Sequence, residues 1–421
     1  MFKDLALYRD LVRNRNFSFY AFSYYLSSIG GTMTLFALWA QAAHMSDNNP
    51  MAIGLSGILD TLPSILFAPL AGLLADRYNK RNLLMLSRIL QAVTVLGMVF
   101  TANLWQLFVL AALHSTFTSF ETPPHRALLP TLVREEQYVT MNSFMATMNS
   151  LIQFFRPALA GLVVSTFGYH AGFTVNVIVQ LLTVLVLLLV TVQPSQPAQP
   201  PSEKTKPAGM WGGAREGLTY IRTEPVLTYL FFLSVIMTFC FSTQGPLTQV
   251  FVGQYLSDSP DQVSARVGLL FSSIGVGGVL GALVTPRLIA KLPVFLLLLA
   301  SFAFDGLMVV VFSQSSTLWV AMVCYALFGI IGSVNMIVTD TLIQRIVPDT
   351  MRGRVYGAFG PINGPFSMLS IACGTSLATV IGVRGVFLLC GLLEVLAPIV
   401  CRMLPSYRTV RAQLKEKRVS M

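Results

Sequence analysis

Apolar residues come in runs of roughly 20 along almost the whole chain, broken by short polar connections. That is the length a helix needs to cross a hydrocarbon core of about 30 Å. Inside such a core each backbone amide must find its partner within its own segment, so the runs read as helices. The spans fall near Phe17–Gln41, Met51–Ala75, Leu83–Thr101, Leu104–Thr122, Val139–Thr166 and Gly172–Val192. A second set follows near Val226–Tyr255, Val267–Ala290, Val294–Phe312, Leu318–Val338, Val355–Ile381 and Val386–Leu404. Residues 193–224 separate the sets. They open with a Pro-rich polar stretch that cannot span and reads as an extended cytoplasmic linker. Residues 210–222 after it are amphipathic and suit the membrane surface.

The expected fold is therefore an all-α membrane protein with twelve transmembrane helices. Its parts are a six-helix bundle at 1–192, the linker at 193–224, a second bundle at 225–404 and a basic cytoplasmic tail at 405–421. Composition agrees: 54% of residues are hydrophobic, 11% are charged, and mean hydropathy is +0.68. A soluble domain carries about 25% charge. The net charge of +10 does not point to nucleic acid, because the basic residues sit in short connections between apolar runs. With the N-terminus in the cytoplasm, all of the 28 Lys and Arg except Arg266, Arg384 and Arg156 lie on that side or at its helix ends. Both termini are then cytoplasmic. The five cysteines lie inside apolar runs without metal or redox spacing and read as small buried side chains. The polar N-terminus leads into a span too long for a cleaved signal.

The two sets resemble each other at an offset of about 214 residues: Gly54-Leu55 with Gly268-Leu269, Val133 with Val347, and Gly168 with Gly382. A parallel repeat implies pseudo-twofold symmetry about the membrane normal and a binding site between the halves.

The most specific local signal is Gly72-Leu73-Leu74-Ala75-Asp76-Arg77-Tyr78-Asn79-Lys80-Arg81 after the second span. Gly72 would allow close helix packing, and Asp76 could accept bonds at a helix N-terminus. Arg77, Lys80 and Arg81 supply the basic side; Arg77 and Arg81 could cap helix carbonyls. Asn79 would tolerate a left-handed turn. The segment resembles the signature loop of the major facilitator superfamily, with Asn79 in place of a glycine. The resemblance implies that the loop acts as a gate. The second-half equivalent, Pro286 to Lys291, keeps the charge but lacks the acid. The segments Glu121 to Val133, carrying Arg126, and Gln344 to Val355, carrying Arg352 and Arg354, are similar to those of the macrolide-efflux and enterobactin-exporter branch. Arg156-Pro157-Ala158-Leu159-Ala160-Gly161 resembles a fifth-helix element of that branch, with Arg156 where glycine is usual.

A permanent charge inside a span is costly and marks a functional candidate. Asn142, Asn149, Gln153 and Arg156 share one helical face. Asp60 lies about nine residues from the outer end of its span and Arg156 about ten from its own, so their depths match at ~1.5 Å per residue. They are expected to be linked, directly or through substrate. Further buried polar candidates are His114, Asn335, Asp305 and Glu394; the fold implied by the resemblance puts the last two on peripheral helices, where a structural role is favoured. Tyr24 is a candidate for contact with an apolar substrate. The arginine that proton-coupled relatives often carry in the fourth helix is absent. Gly277, Gly278 and Gly281 read as close helix contacts.

The resemblance implies a secondary transporter in a bacterial inner membrane that works as a monomer. It would export an amphipathic small molecule, a drug or siderophore, against protons by alternating access. A lysophospholipid carrier is the alternative within transport, and a non-transporting membrane sensor the alternative outside it. No hydrolase, metalloprotease or P-loop motif occurs, and no cofactor is implied.

Overall fold

The computed structural model describes residues 9–191 and 210–403; the Pro-rich stretch at 193–209, the tail at 405–421 and the side chain of Asp76 lie outside the described residues. Every regular element among the described residues is helical. The α-helices are α1 (Arg15–Met45), α2 (Pro50–Arg77), α3 (Lys80–Val99), α4 (Leu104–Ser119), α5 (Thr122–Leu128), α6 (Tyr138–Leu188), α7 (Met210–Thr223), α8 (Pro225–Phe251), α9 (Pro260–Lys291), α10 (Val294–Ser313), α11 (Leu318–Ile346) and α12 (Asp349–Met403). Among the described residues, eight helices are long and apolar enough to cross a bilayer.

The starts of the early helices are written in asparagine. Asn14, Asn49, Asn79 and Asn103 each stand before a helix and accept a backbone N–H at the side-chain oxygen, satisfying donors that the first turn leaves free. This corrects the expectation for Asn79. Its φ of −62° and ψ of 117° are extended, and it accepts from the N–H groups of Arg81 and Asn82 at 3.0 and 3.3 Å. The residue caps α3 rather than making a left-handed turn.

Two of the connections that the apolar pattern predicts are as short as a kink at one glycine. α6 and α12 are each two helices that meet at a kink, at Gly168 (φ 80°, ψ 169°) and at Gly382 (φ 76°, ψ 163°), where the backbone is not helical. That corner of backbone space is open essentially to glycine alone. Each pair of helices therefore joins two apolar runs across one glycine. The two glycines lie 214 residues apart in the chain and share nearly the same dihedrals.

The chain divides into two compact units: Met1–Lys206 with Asp258–Ser272, and Pro207–Ser257 with Ser273–Met421. The division departs from a cut at the linker for two physical reasons. The first turns of α9 join the first unit where a Cβ at Gly268 would stand 2.7 Å from the Pro157 carbonyl and 2.9 Å from the Gly161 Cα. Helix α7 joins the second unit, where a Cβ at Gly217 would strike the Arg354 carbonyl and Ile221 is buried in the core. Within the second unit α9 and α11 also meet at glycines: Gly277 packs on the Ala326 carbonyl and Gly281 on Ile330, with no room for a Cβ.

Candidate functional site

The interior of the first unit holds a column of polar side chains that runs between α1, α3, α4 and the second half of α6. Asn176 donates to Thr34, and Gly30 leaves the space that the Asn176 amide fills. Ser27 donates to Gln180 Oε1 at 3.2 Å, Gln180 Nε2 to Gln91 Oε1 at 3.3 Å, and Gln91 Nε2 to Ser87 Oγ at 3.1 Å. Ser87 in turn donates to the Phe117 carbonyl at 2.6 Å. The column ends in a charge. Arg88, 2% exposed, donates through Nε to Glu121 Oε1 at 3.0 Å and through Nη1 to Ser23. Pairing of this kind offsets the cost of burying polar groups.

Arg88 was not among the residues that the sequence singles out. Its place near one end of a span suggests an ordinary basic flank, yet it is among the largest fully buried side chains of the chain. The signal that could find it is its partner: Glu121 is the acid that opens the segment carrying Arg126.

An aromatic group stands beside this ion pair. The Tyr20 hydroxyl and His125 Nδ1 share a hydrogen bond, and Tyr24 stacks on the His125 ring at 4.0 Å and 11°. Burial, with Arg88 and Arg126 nearby, pushes the His125 imidazole down to about 4. It is therefore neutral at pH 7 and free to accept at Nδ1.

The two spans' charges expected to meet find other partners. Asp60 on α2 faces His114 on α4, with Oδ1 3.9 Å from Nδ1, and the Ser115 hydroxyl donates to the Asp60 carbonyl at 2.5 Å. Both ring nitrogens of His114 are buried without a hydrogen bond. Arg156 donates through Nη1 to Ser28 Oγ at 2.9 Å and lies in the electrostatic range of Tyr24. Asn142, Asn149 and Gln153 are exposed on α6, while Met141 and Met145 on the same helix are buried.

The residues of the signature segment surround the end of α2 and the start of α3. Gly72 is open, since a Cβ there would touch nothing within 4 Å, so no close helix contact explains it among the described residues. Arg77 is exposed in the last turn of α2, where a cation complements the helix dipole. Lys80 opens α3, and Arg81 reaches the Val190 carbonyl at 2.8 Å. Arg126 is exposed on α5.

In the second unit Arg352 donates to the Val347 and Gln344 carbonyls at 3.1 and 2.5 Å and so caps α11. Arg354 pairs with Glu216 of α7 at 2.6 Å. Asn335 is buried, accepts the Ser301 hydroxyl, and lines a cavity of about 290 Å³ between α8, α10 and α11. Leu233, Met237, Leu298 and Phe302 form apolar walls, with Thr339 and Asp340 as polar members.

A helical chain with apolar spans, glycine-jointed helix pairs and this signature segment has clear relatives. The Major Facilitator Superfamily matches residues 17–370 and again 268–419. The chain belongs to that superfamily. It is thus a multi-pass membrane protein of a transporter family. It is 27% identical to the uncharacterized MFS-type transporter YfiS of Bacillus subtilis (strain 168) over 88% of each chain. It is 22% identical to macrolide efflux protein A of Streptococcus pyogenes, covering 85% of this chain and 88% of the relative. It is 23% identical to the enterobactin exporter EntS of Citrobacter koseri (strain ATCC BAA-895 / CDC 4225-83 / SGSC4696), covering 74% and 73%. Among solved structures, the nucleoside transporter NupG superposes with a TM-score of 0.72 at 12% identity, over 91% of this chain and 98% of NupG. At that identity the likeness speaks for the fold.

Proposed function

We propose that this superfamily member is a proton-coupled exporter of an amphipathic small molecule, with twelve spans in two six-helix bundles and both termini in the cytoplasm of a bacterium. The observation that carries the reading is the open face of α6. Arg156 is held in place by Ser28, near the Tyr24 ring, with Asn149 and Gln153 exposed on its own helix. A fixed cation, an aromatic face and two amides can recognise a molecule that has both rings and oxygen acceptors. The similarity to a macrolide-efflux protein and an enterobactin exporter supports export of such a substrate.

Proton coupling is assigned to Asp60 and His114. The pair is held at 3.9 Å, and the imidazole nitrogens have no other partner, so a proton arriving there changes the local charge and the attraction between α2 and α4. Flux of candidate drugs and siderophores in proteoliposomes under an imposed pH gradient tests the reading. Transport should vanish with a protonophore, with Asp60→Asn and with Arg156→Gln. Gradient-independent flux, or Asp60→Asn at wild-type rate, would sink proton coupling at this pair. The apolar cavity of the second unit favours a lysophospholipid as the second reading, because an acyl chain suits its leucine, methionine and phenylalanine walls. Lysophospholipid flux with no flux of the other compounds would select it.

A further inference from the structure

The polar column of the first unit has a counterpart in the second, and the chemistry at one pair of positions is different. Gln91 and Gln180 precede Asp305 and Glu394 by the same interval that separates Gly168 from Gly382. In the first unit the two amides are buried and joined by a hydrogen bond of 3.3 Å. In the second unit the same two places hold two carboxyl groups. Glu394 is 1% exposed and Asp305 7%.

The two helices that carry the acids pack closely beside them. At Gly306 a Cβ would stand 2.5 Å from the Gly391 carbonyl and 2.7 Å from the Glu394 Cβ, so α10 and α12 touch backbone to backbone beside the two acids. The titratable groups facing Glu394 are Asp305 of α10, Cys240 of α8 and Cys390 of its own helix; α7 and α11 contribute none among the described residues. No lysine, arginine or histidine is in that group. The Cys240 thiol is directed to the Cys390 carbonyl at 3.7 Å, and both Glu394 oxygens are buried without a hydrogen bond. For two carboxyl groups buried on touching helices with no cation in the group, ionising the second is strongly disfavoured, so one proton is held to a higher pH than on a free acid.

We propose that Asp305 and Glu394 form a proton-binding site that holds one proton between them, as O–H···O in place of the amide bridge of the first unit. The proton goes on and off one carboxyl oxygen while the other accepts, so the pair alternates between charges of −1 and −2. The proton would arrive from the side of the cavity. The cavity next to Asn335 is lined by Met237 and Phe302, each one helical turn before Cys240 and Asp305 on the same helix. The amide pair of the first unit has no such capacity, since Gln does not titrate.

The test uses the full chain in proteoliposomes and infrared spectroscopy across a pH series. The wild type should show, at pH 7, the C=O stretch of a protonated carboxyl that shifts in D₂O. The band should be lost in Glu394→Gln and equally in Asp305→Asn, each of which supplies an amide donor and removes the need for the proton. A band absent from the wild type, or unchanged in both variants, overturns the proposal. So does a band removed by sodium at constant pH, which would make the pair a sodium site. Should either variant fail to fold, carbodiimide labelling of the wild type decides. The reagent attacks protonated carboxyls in apolar surroundings, so mass spectrometry should find it on Asp305 or Glu394 at pH 7 and not on either once the band has titrated away. Absence of labelling at pH 7 counts against the site. Neither readout requires flux, so failure here is distinct from failure of export through Asp60 and Arg156.

Discussion

The two units place polar side chains at matching positions and fill them with opposite chemistry. Where the first unit has Arg88 and Glu121, the second has Phe302 and Asn335 at the equivalent places of the repeat, and those two line the cavity of about 290 Å³. Where the first has two glutamines, the second has two acids. Asp60 and His114 correspond to Ile274 and Phe328. If the two units repeat one backbone, the same positions point inward in both, and the side chains there make one interior a neutralised ion pair and the other a cavity. The first unit offsets a buried cation with an anion and with hydroxyl and amide neighbours. The second has neither the cation nor the acid at those places, and carries acids where the first has glutamines.

The largest expected effect comes from breaking the ion pair. Arg88→Met leaves Glu121 without its partner and Ser23 without its donor, and should destabilise the chain by about 3 kcal/mol, the lower end for loss of one member of a buried pair because Glu121 is partly exposed. Thermal unfolding in detergent measures it. Arg88→Phe with Glu121→Asn copies the second unit and should recover more than half of that loss, since no charge is then left unpaired. A double variant as unstable as the single would mean that the surrounding shell, not the charge balance, sets the difference between units.

Much of this was legible in the sequence, and the remainder has a definite physical reason for being hidden. The apolar runs mark the helices, and the match of Gly168 with Gly382 marks two kinks of nearly the same dihedrals, because both are one-dimensional patterns. Depth is also one-dimensional, and counting residues leads to the expectation that Asp60 and Arg156 lie level. Direction around a helix is not, because it depends on packing, and the structure turns Asp60 toward His114 and Arg156 toward Ser28. Arg88 sits only a few residues inside its predicted span, where a snorkelling flank and a buried charge read alike. Gln91 and Gln180 carry no charge and did not stand out at all. Asn79, at the place where relatives carry glycine, was read through that glycine and not through its own capacity to cap a helix.

A smaller effect should come from adding one methyl group at matched positions. Ala92 in α3 and Gly306 in α10 are equivalent in the repeat; the first already carries a Cβ and is 3% exposed. Gly306→Ala puts the same Cβ 2.5 Å from a carbonyl that cannot move without its helix, and should cost about 2 kcal/mol as overpacking. Ala92→Gly should cost about 1 kcal/mol, through helix propensity and a lost buried methyl. Thermal unfolding in detergent measures both. If Gly306→Ala were instead neutral, α10 and α12 could part, and water could reach Asp305 and Glu394. The close packing beside the acids would then be absent.

The smallest expected difference lies at helix starts. Asn103 begins α4 and accepts the Gln106 N–H at 3.0 Å, whereas Thr317, its repeat counterpart, begins α11 with extended backbone and no side-chain cap bond. Asn103→Ala should therefore cost about 1 kcal/mol, the usual value of a working N-cap. Thr317→Ala should cost less than about 0.5 kcal/mol, because no bond is lost. The same contrast holds at Asn79, which caps α3 through two N–H groups, and Pro293, which precedes α10 without a side-chain acceptor. These two starts in the second unit thus depend less on local chemistry and more on burial of the helix they open. Equal losses at Asn103 and Thr317 would show that threonine caps α11 through a rotamer change, and would remove helix capping from the differences between the units.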